Sequence, residues 1–246
     1  MKSRSALLSL AAIIFSNLAF SQNDAEGILA KMDETVFSIE DKTVNMRMVM
    51  LNQKSGKEKE KEAILMQKGQ DKKLFRYTAP ESDVGISTLA LPNEEIYVYL
   101  PMFKKPKKIT NLAESGIFNN SDFSINDMAN QTYSEKYMPR KLDDEEGNFV
   151  LYLTPKDEKP EWNHLVVYID KQHFYPVRFD FYNQKNEVEK QALYQYTQVG
   201  GHWVAEQVSM EDLKKDHKTT LYMSDIKLNS GLADDLFTLD NLAPPE

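Results

Sequence analysis

Two hydrophobic periods follow one another along the chain. Asn23-Asp24-Ala25-Glu26 places a capping side chain three residues ahead of a carboxylate, the signature of a helix start. Ile28, Leu29, Met32 and Val36 then recur at helical spacing, which predicts one apolar helical face lying on a sheet. After Ile39 the period becomes two. Residues 74–77, 96–100, 149–153, 165–169 and 177–181 read as strands, with further strands at 188–198, 203–212 and 219–228. Val177, Phe179 and Phe181 alternate with Arg178 and Asp180, the pattern of a strand with one wet and one buried face. The intervening turns carry Asn183-Gln184-Lys185-Asn186, Gly200-Gly201 and Lys214-Lys215-Asp216, short and polar as hairpin loops are.

The pattern predicts an α+β chain, mainly antiparallel β, with one N-terminal helix. Alternating βα units are missing, which argues against Rossmann and βα-barrel enzymes. Several strands are apolar on both faces: Ile96, Val98 and Leu100 on one, Tyr97 and Tyr99 on the other, with 149–153 and 165–169 alike. Two readings fit this. A curved sheet would bury one face and line a concavity with the other, or helices would cover both faces.

The segment 104–137 breaks the strand rhythm. It opens with Lys104-Lys105-Pro106-Lys107-Lys108, continues through Ile117-Phe118, and ends in a polar run where Ser121-Asp122 or Ser124 would cap a short helix through Asp127-Met128. A long insertion with apolar residues is where a lid is expected.

Composition narrows the field. With 41% hydrophobic and 11% aromatic residues, the chain has apolar surface enough to offset the entropy of ordering. A net charge of −8 speaks against a nucleic-acid binder, which needs positive charge for phosphates. The absence of cysteine removes disulfide scaffolds, thiol nucleophiles and cysteine-bound metals. Residues 1–21 read as a cleaved signal peptide: Lys2 and Arg4, an apolar stretch at 6–20, and Ala19-Phe20-Ser21 before the cut. A bacterial leader of this kind predicts a periplasmic mature domain, 22–246.

Catalytic motifs are scarce. His164, His173, His202 and His217 are scattered without metal-ligand spacing, and nucleophile elbows, P-loops and Gly-x-Gly-x-x-Gly runs are missing. Asp143-Asp144-Glu145-Glu146 before Gly147 reads as a solvated turn, and the alternating charges at 54–61 as an exposed loop. Asp122 and Asp127 read as capping residues, since no nucleophile or metal ligand accompanies them. No cofactor or metal site is expected. The lysine run suits either docking to an acidic partner or lipid headgroup or a strand edge protected by charge.

From Phe75 to Met128 the chain resembles the outer-membrane lipoprotein-sorting (LolA-like) family. Arg76-Tyr77, Pro80, Asp83-Val84-Gly85, Leu89 and Ile96-Tyr97-Val98-Tyr99-Leu100-Pro101 come in that family's order, followed by the lysine run ending at Ile109. The stretch Phe118-Asn119-Asn120-Ser121-Asp122-Phe123-Ser124-Ile125-Asn126-Asp127-Met128 is similar to a family block, departing from it at Asn120, Ile125 and Asn126; Asp235-Leu236-Phe237-Thr238 is similar to the family's end. The resemblance implies an unclosed half β-barrel with a helical and loop lid over a hydrophobic cavity for acyl chains. It further implies a non-enzymatic periplasmic carrier that binds lipoprotein acyl chains or other lipids for transfer toward the outer membrane. An inner-membrane transporter and an outer-membrane acceptor would be its partners. The expected cavity residues are Phe75, Tyr77, Tyr97, Tyr99, Leu100, Tyr152, Phe179 and Phe181, and the lid residues Phe118, Phe123 and Met128. Lys104, Lys105, Lys107 and Lys108 are expected to dock a partner or headgroup. The alternative is an envelope sensor or accessory module that docks to a membrane transporter through those lysines.

Overall fold

The computed structural model describes residues 24–93, 95–109, 121–123 and 132–243. The expected signal peptide, Phe118, Met128 and Asp127 lie outside the described residues. Helix α1 covers 24–37 and α2 covers Tyr133–Lys136. The strands are β1 (Asp41–Asn52), β2 (Lys57–Lys68), β3 (Lys72–Ala79), β4 (Ser87–Leu91), β5 (Glu95–Leu100), β6 (Lys105–Ile109) and β7 (Tyr137–Lys141). They continue with β8 (Asn148–Pro155), β9 (His164–Asp170), β10 (Pro176–Tyr182), β11 (Val188–Val199), β12 (His202–Asp212) and β13 (His217–Leu228). The chain divides into two compact units: α1 up to Thr35 with Thr132–Glu187, and the described residues of Val36–Gln131 with Val188–Glu246.

The first unit holds the antiparallel series β10-β9-β8-β7. Ile28, Leu29 and Met32 are buried on α1, as the spacing predicted, with Ala25 buried beside them, and Val36 is half-buried where the helix runs out. Register sets Leu151, Val167 and Phe179 abreast on one face, and Leu153, Leu165 and Phe181 in the next row. Asp33, buried, accepts the N–H groups of Tyr133 (3.0 Å) and Ser134 (2.8 Å). With the Thr132–Glu135 capping box, this satisfies the orphan donors of α2. The run Asp143 to Glu146 is the turn before β8, as expected, with Lys171 on Asp144 at 2.7 Å.

The second unit holds β6-β5-β4-β3-β2-β1-β13-β12-β11, all antiparallel. Among the described residues β6 and β7 are each paired on one side only, so the sheet is not closed. The Gly200-Gly201 turn holds φ at 57° and 85°, the left-handed pair that a two-residue hairpin demands.

One expectation is corrected here, and one of two open readings is met. Residues 57–61, read as an exposed loop, form the first half of β2, paired with β1. Pairing with β3 begins only at Glu62, so this half is a bare edge, and its alternating Lys and Glu protect it. Residues 105–109 form the end strand β6, as the strand-edge reading of the lysine run has it: four lysine side chains lie exposed around 104–108 while the backbone pairs with β5. Charge hid the strand period in both. Among the described residues, no helix is long and apolar enough to cross a membrane.

Candidate functional site

The β1–β5 sheet of the second unit is apolar on both faces, and each face has its own cause. On one face, Met46, Met48, Met50, Ala63, Phe75, Tyr77, Ala90 and Ile96 form a continuous buried cluster, with Leu65, Ile86, Ile109 and Leu221 packed beside it. Phe75 meets Tyr77 edge-on at 5.0 Å, the preferred aromatic geometry. Lys61 Nζ lies 5.0 Å from the Tyr77 ring centroid and 2.7 Å from Asp83. We term this the methionine face.

The opposite face carries Leu74 and Leu89, covered by Phe237 and Leu242 of the C-terminal segment, with Tyr97, Tyr99, Leu232 and Leu236 alongside. A set of polar ties straps this segment down. Asp41 accepts N–H bonds from Ser230 (2.8 Å), Gly231 (2.8 Å) and Leu232 (3.1 Å), and the Ser230 hydroxyl at 2.9 Å. Burial pushes the Asp41 carboxyl up, but these bonds outweigh it and hold the group below its ordinary value. Arg76 donates to the Asn241 carbonyl at 2.6 Å, Ser87 to the Leu242 carbonyl, and Asp234 pairs with Lys68 and Lys72.

The eight expected cavity residues therefore divide. Phe75 and Tyr77 lie on the methionine face, and Leu100, half-buried, shares the register parity of Ile96. Tyr97 and Tyr99 belong to the strapped face. In the first unit, Phe179 stacks on Tyr133 at 4.9 Å and Phe181 meets Trp162 at 5.4 Å. Tyr152 lies on the reverse of that sheet, in a stack with His164 (4.2 Å) that continues to Tyr182 (4.1 Å). Arg140 caps the stack 4.9 Å from the Tyr152 ring. His164 is buried, its Nδ1 lacks a hydrogen-bond partner among the described residues, and burial lowers its pKa. The division follows from the two-residue period, in which neighbours point oppositely.

The lysine run sits beside an apolar tip that sequence reasoning passed over. Between β5 and β6, Pro101–Phe103 makes one 3-10 turn, closed by Lys104 at φ 51°. Met102 and Phe103 are 80% and 62% exposed there. Lys104, Lys105, Lys107 and Lys108 are exposed too, Lys108 pairing with Glu95. That ion pair raises the Lys108 pKa and lowers that of Glu95. Of the expected lid, Phe123 is half-buried beside Asp122, which is itself buried. Asp122 bonds the Thr219 hydroxyl and His217, each at 2.7 Å, and its carbonyl accepts from Lys190 at 2.7 Å. Two surface hollows of the first unit, about 510 and 380 Å³, hold none of the expected residues. Among the described residues no group of three acidic, His or Cys side chains is placed to hold a metal ion.

A family model described as "-like: Uncharacterized protein" matches residues 69–244. No curated protein matches this chain. Among solved structures, a putative outer membrane lipoprotein-sorting protein domain from Vibrio parahaemolyticus is 25% identical, with TM-score 0.82 over 90% of this chain and 99% of that one. A LolA superfamily protein from Nitrosomonas europaea is 24% identical, with TM-score 0.73 over 88% and 98%. A DUF1329 family protein from Desulfovibrio piger is 21% identical, with TM-score 0.83 over 90% and 99%. The latter two likenesses concern the fold.

Proposed function

Because this chain belongs to the outer-membrane lipoprotein-sorting (LolA-like) family, we propose that it is a periplasmic, non-enzymatic carrier that holds lipid acyl chains against the methionine face. The observation that supports this most is the continuity of that face across five strands, from Met46 to Ile96. Each acyl methylene moved out of water is worth about 0.8 kcal/mol, so a carrier needs a long apolar surface and no reactive groups. Methionine suits such a surface, since its unbranched, polarisable side chain adapts to different chains. Phe118, Phe123 and Met128 are proposed to close over the lipid, with Asp122 as the fixed point of that segment. Acyl chains of a lipoprotein and of a free lipid are both ligands of the required chemistry.

The test is uptake of a fluorescent phospholipid from vesicles by wild type and by Leu65→Asp, at a half-buried position beside the methionine face. Uptake should fall at least tenfold in the variant with an unchanged circular dichroism spectrum. Equal uptake by both proteins would overturn the assignment of the face.

A second element of the reading is docking. Met102 and Phe103, exposed beside four lysines, support delivery at an anionic surface, the apolar tip entering the interface while the amines meet headgroups. A transporter or acceptor protein with an acidic rim is the alternative occupant. Lysine-to-glutamate reversal separates docking from lipid holding, because only the former should suffer.

A further inference from the structure

Lys42 stands on the methionine face. In the unbroken β1–β2 ladder, residues 42, 44, 46, 48 and 50 share one side, and Val44, Met46, Met48 and Met50 are buried. Lys42 is level with Gln67 on β2 and Leu228 on β13, and Gln67 is level with Lys73 on β3. The row then runs through Ala90, Ile96 and Ile109. One end of an apolar face thus carries two amines and an amide. The Gln67 amide is engaged with the Gly69 carbonyl at 2.9 Å. Lys73 is almost fully buried.

Lys42 has no hydrogen-bond or ion-pair partner among the described residues. Burial alone pushes its pKa down. The residue as a whole keeps a minor part of its surface exposed. A buried amine without a carboxylate is costly, and the sheet would be more stable with an apolar residue there. Residues that break the apolar pattern of a face at a stability cost mark function.

We propose that Lys42 is the anion-reading end of the lipid site, so that the preferred ligand is a single-chain amphiphile with an acidic head, a fatty-acid carboxylate or a lipid phosphate. The chain lies along Met46, Phe75 and Ile96, and the head meets the Lys42 ammonium, with Lys73 about two strand spacings, or about 10 Å, across the row. A charge-assisted hydrogen bond in so dry a place is stronger than one in water. Binding an anion would restore the protonated form that burial disfavours. This inference rests on the carrier reading and narrows it to a head-group class.

The experiment compares palmitate, palmitoyl-lysophosphatidic acid and hexadecanol as ligands of the delipidated protein by titration calorimetry at pH 7.5. Wild type should bind one or both acids about 10- to 100-fold more tightly than the alcohol; preference for palmitate or for the phosphate identifies the source of the anion. Lys42→Met should bring the affinities of acid and alcohol together, and Lys42→Arg should keep them apart. Lys42→Met should also melt higher than wild type without lipid and gain less on adding palmitate. An unchanged acid-to-alcohol ratio in Lys42→Met overturns the inference while leaving the carrier reading intact. Failure of wild type to bind any of the three overturns both.

Discussion

His217 Nδ1 lies 2.7 Å from Asp122 Oδ2, joining residues 95 apart in sequence. Thr219 donates to the same oxygen at 2.7 Å, and the Asp122 N–H reaches the Thr219 hydroxyl at 3.0 Å. Lys190 on β11 closes the arrangement on the Asp122 carbonyl. One aspartate thus ties the segment between β6 and α2 to two strands of the second unit.

Asp122→Ala should remove the two carboxylate bonds, to His217 and to the Thr219 hydroxyl, while the main-chain bonds to Thr219 and Lys190 can persist. A stability loss of about 2 kcal/mol is expected, read as a lowered midpoint in urea at constant slope. An unchanged midpoint would show the tie to be incidental.

The C-terminal strap should open in acid. The folded Asp41 carboxyl titrates below its ordinary value of 3.8, so its contribution is complete above that value and is lost as pH falls through the folded one. Hydrogen exchange of the amides of Ser230, Gly231 and Leu232, relative to the intrinsic rate at each pH, should accelerate as pH falls below 3.8, and Asp41→Asn should show fast exchange already at pH 7. Phe237→Ala, which empties a buried ring site on the same strap, should cost about 3 kcal/mol. A cost under about 1 kcal/mol would mean that the strap merely rests on the sheet.

His164 gives the opposite kind of group the same sign of pH dependence. Burial lowers its pKa below 6.5, so the unfolded chain takes up the proton first and stability falls as pH drops below that value. His164→Phe keeps a ring between Tyr152 and Tyr182 and should flatten the melting-temperature profile between pH 7 and pH 5. A profile parallel to that of wild type would count against the assignment.

The hairpin tip should act through both its parts. Met102→Ser with Phe103→Ser should weaken cosedimentation with phosphatidylglycerol vesicles severalfold, and so should reversal of Lys104, Lys105 and Lys107 to Glu. The interaction of the two proteins that keep their lysines should fade with salt, and that of the reversal variant should not. Equal sedimentation of all three proteins would exclude the tip as the docking element.

Much of this architecture was legible in the sequence, for identifiable reasons. The helix at 24–37 announced itself through Ile28, Leu29 and Met32, and eight strands through alternation. Among the strands whose period did not show, β6 and the first half of β2 carry charges that protect an edge, and charge erased the alternation there. The candidate site was half legible. Aromatic residues in strands flagged apolar faces, but whether Tyr97 or Ile96 points to a given side depends on register with β4 and on where Phe237 and Leu242 land. The second of these belongs to contacts more than a hundred residues apart. Lys42 was invisible, because a lysine near the start of a strand carries no mark of the face it joins.

The most direct measurement is native mass spectrometry of the protein purified from the periplasm without detergent. The account predicts a mass excess that extracts as acyl lipid, absent or much reduced in Leu65→Asp. A bare protein mass that stays bare after incubation with lipid vesicles would contradict it and leave docking through the Met102–Phe103 hairpin as the chain's activity.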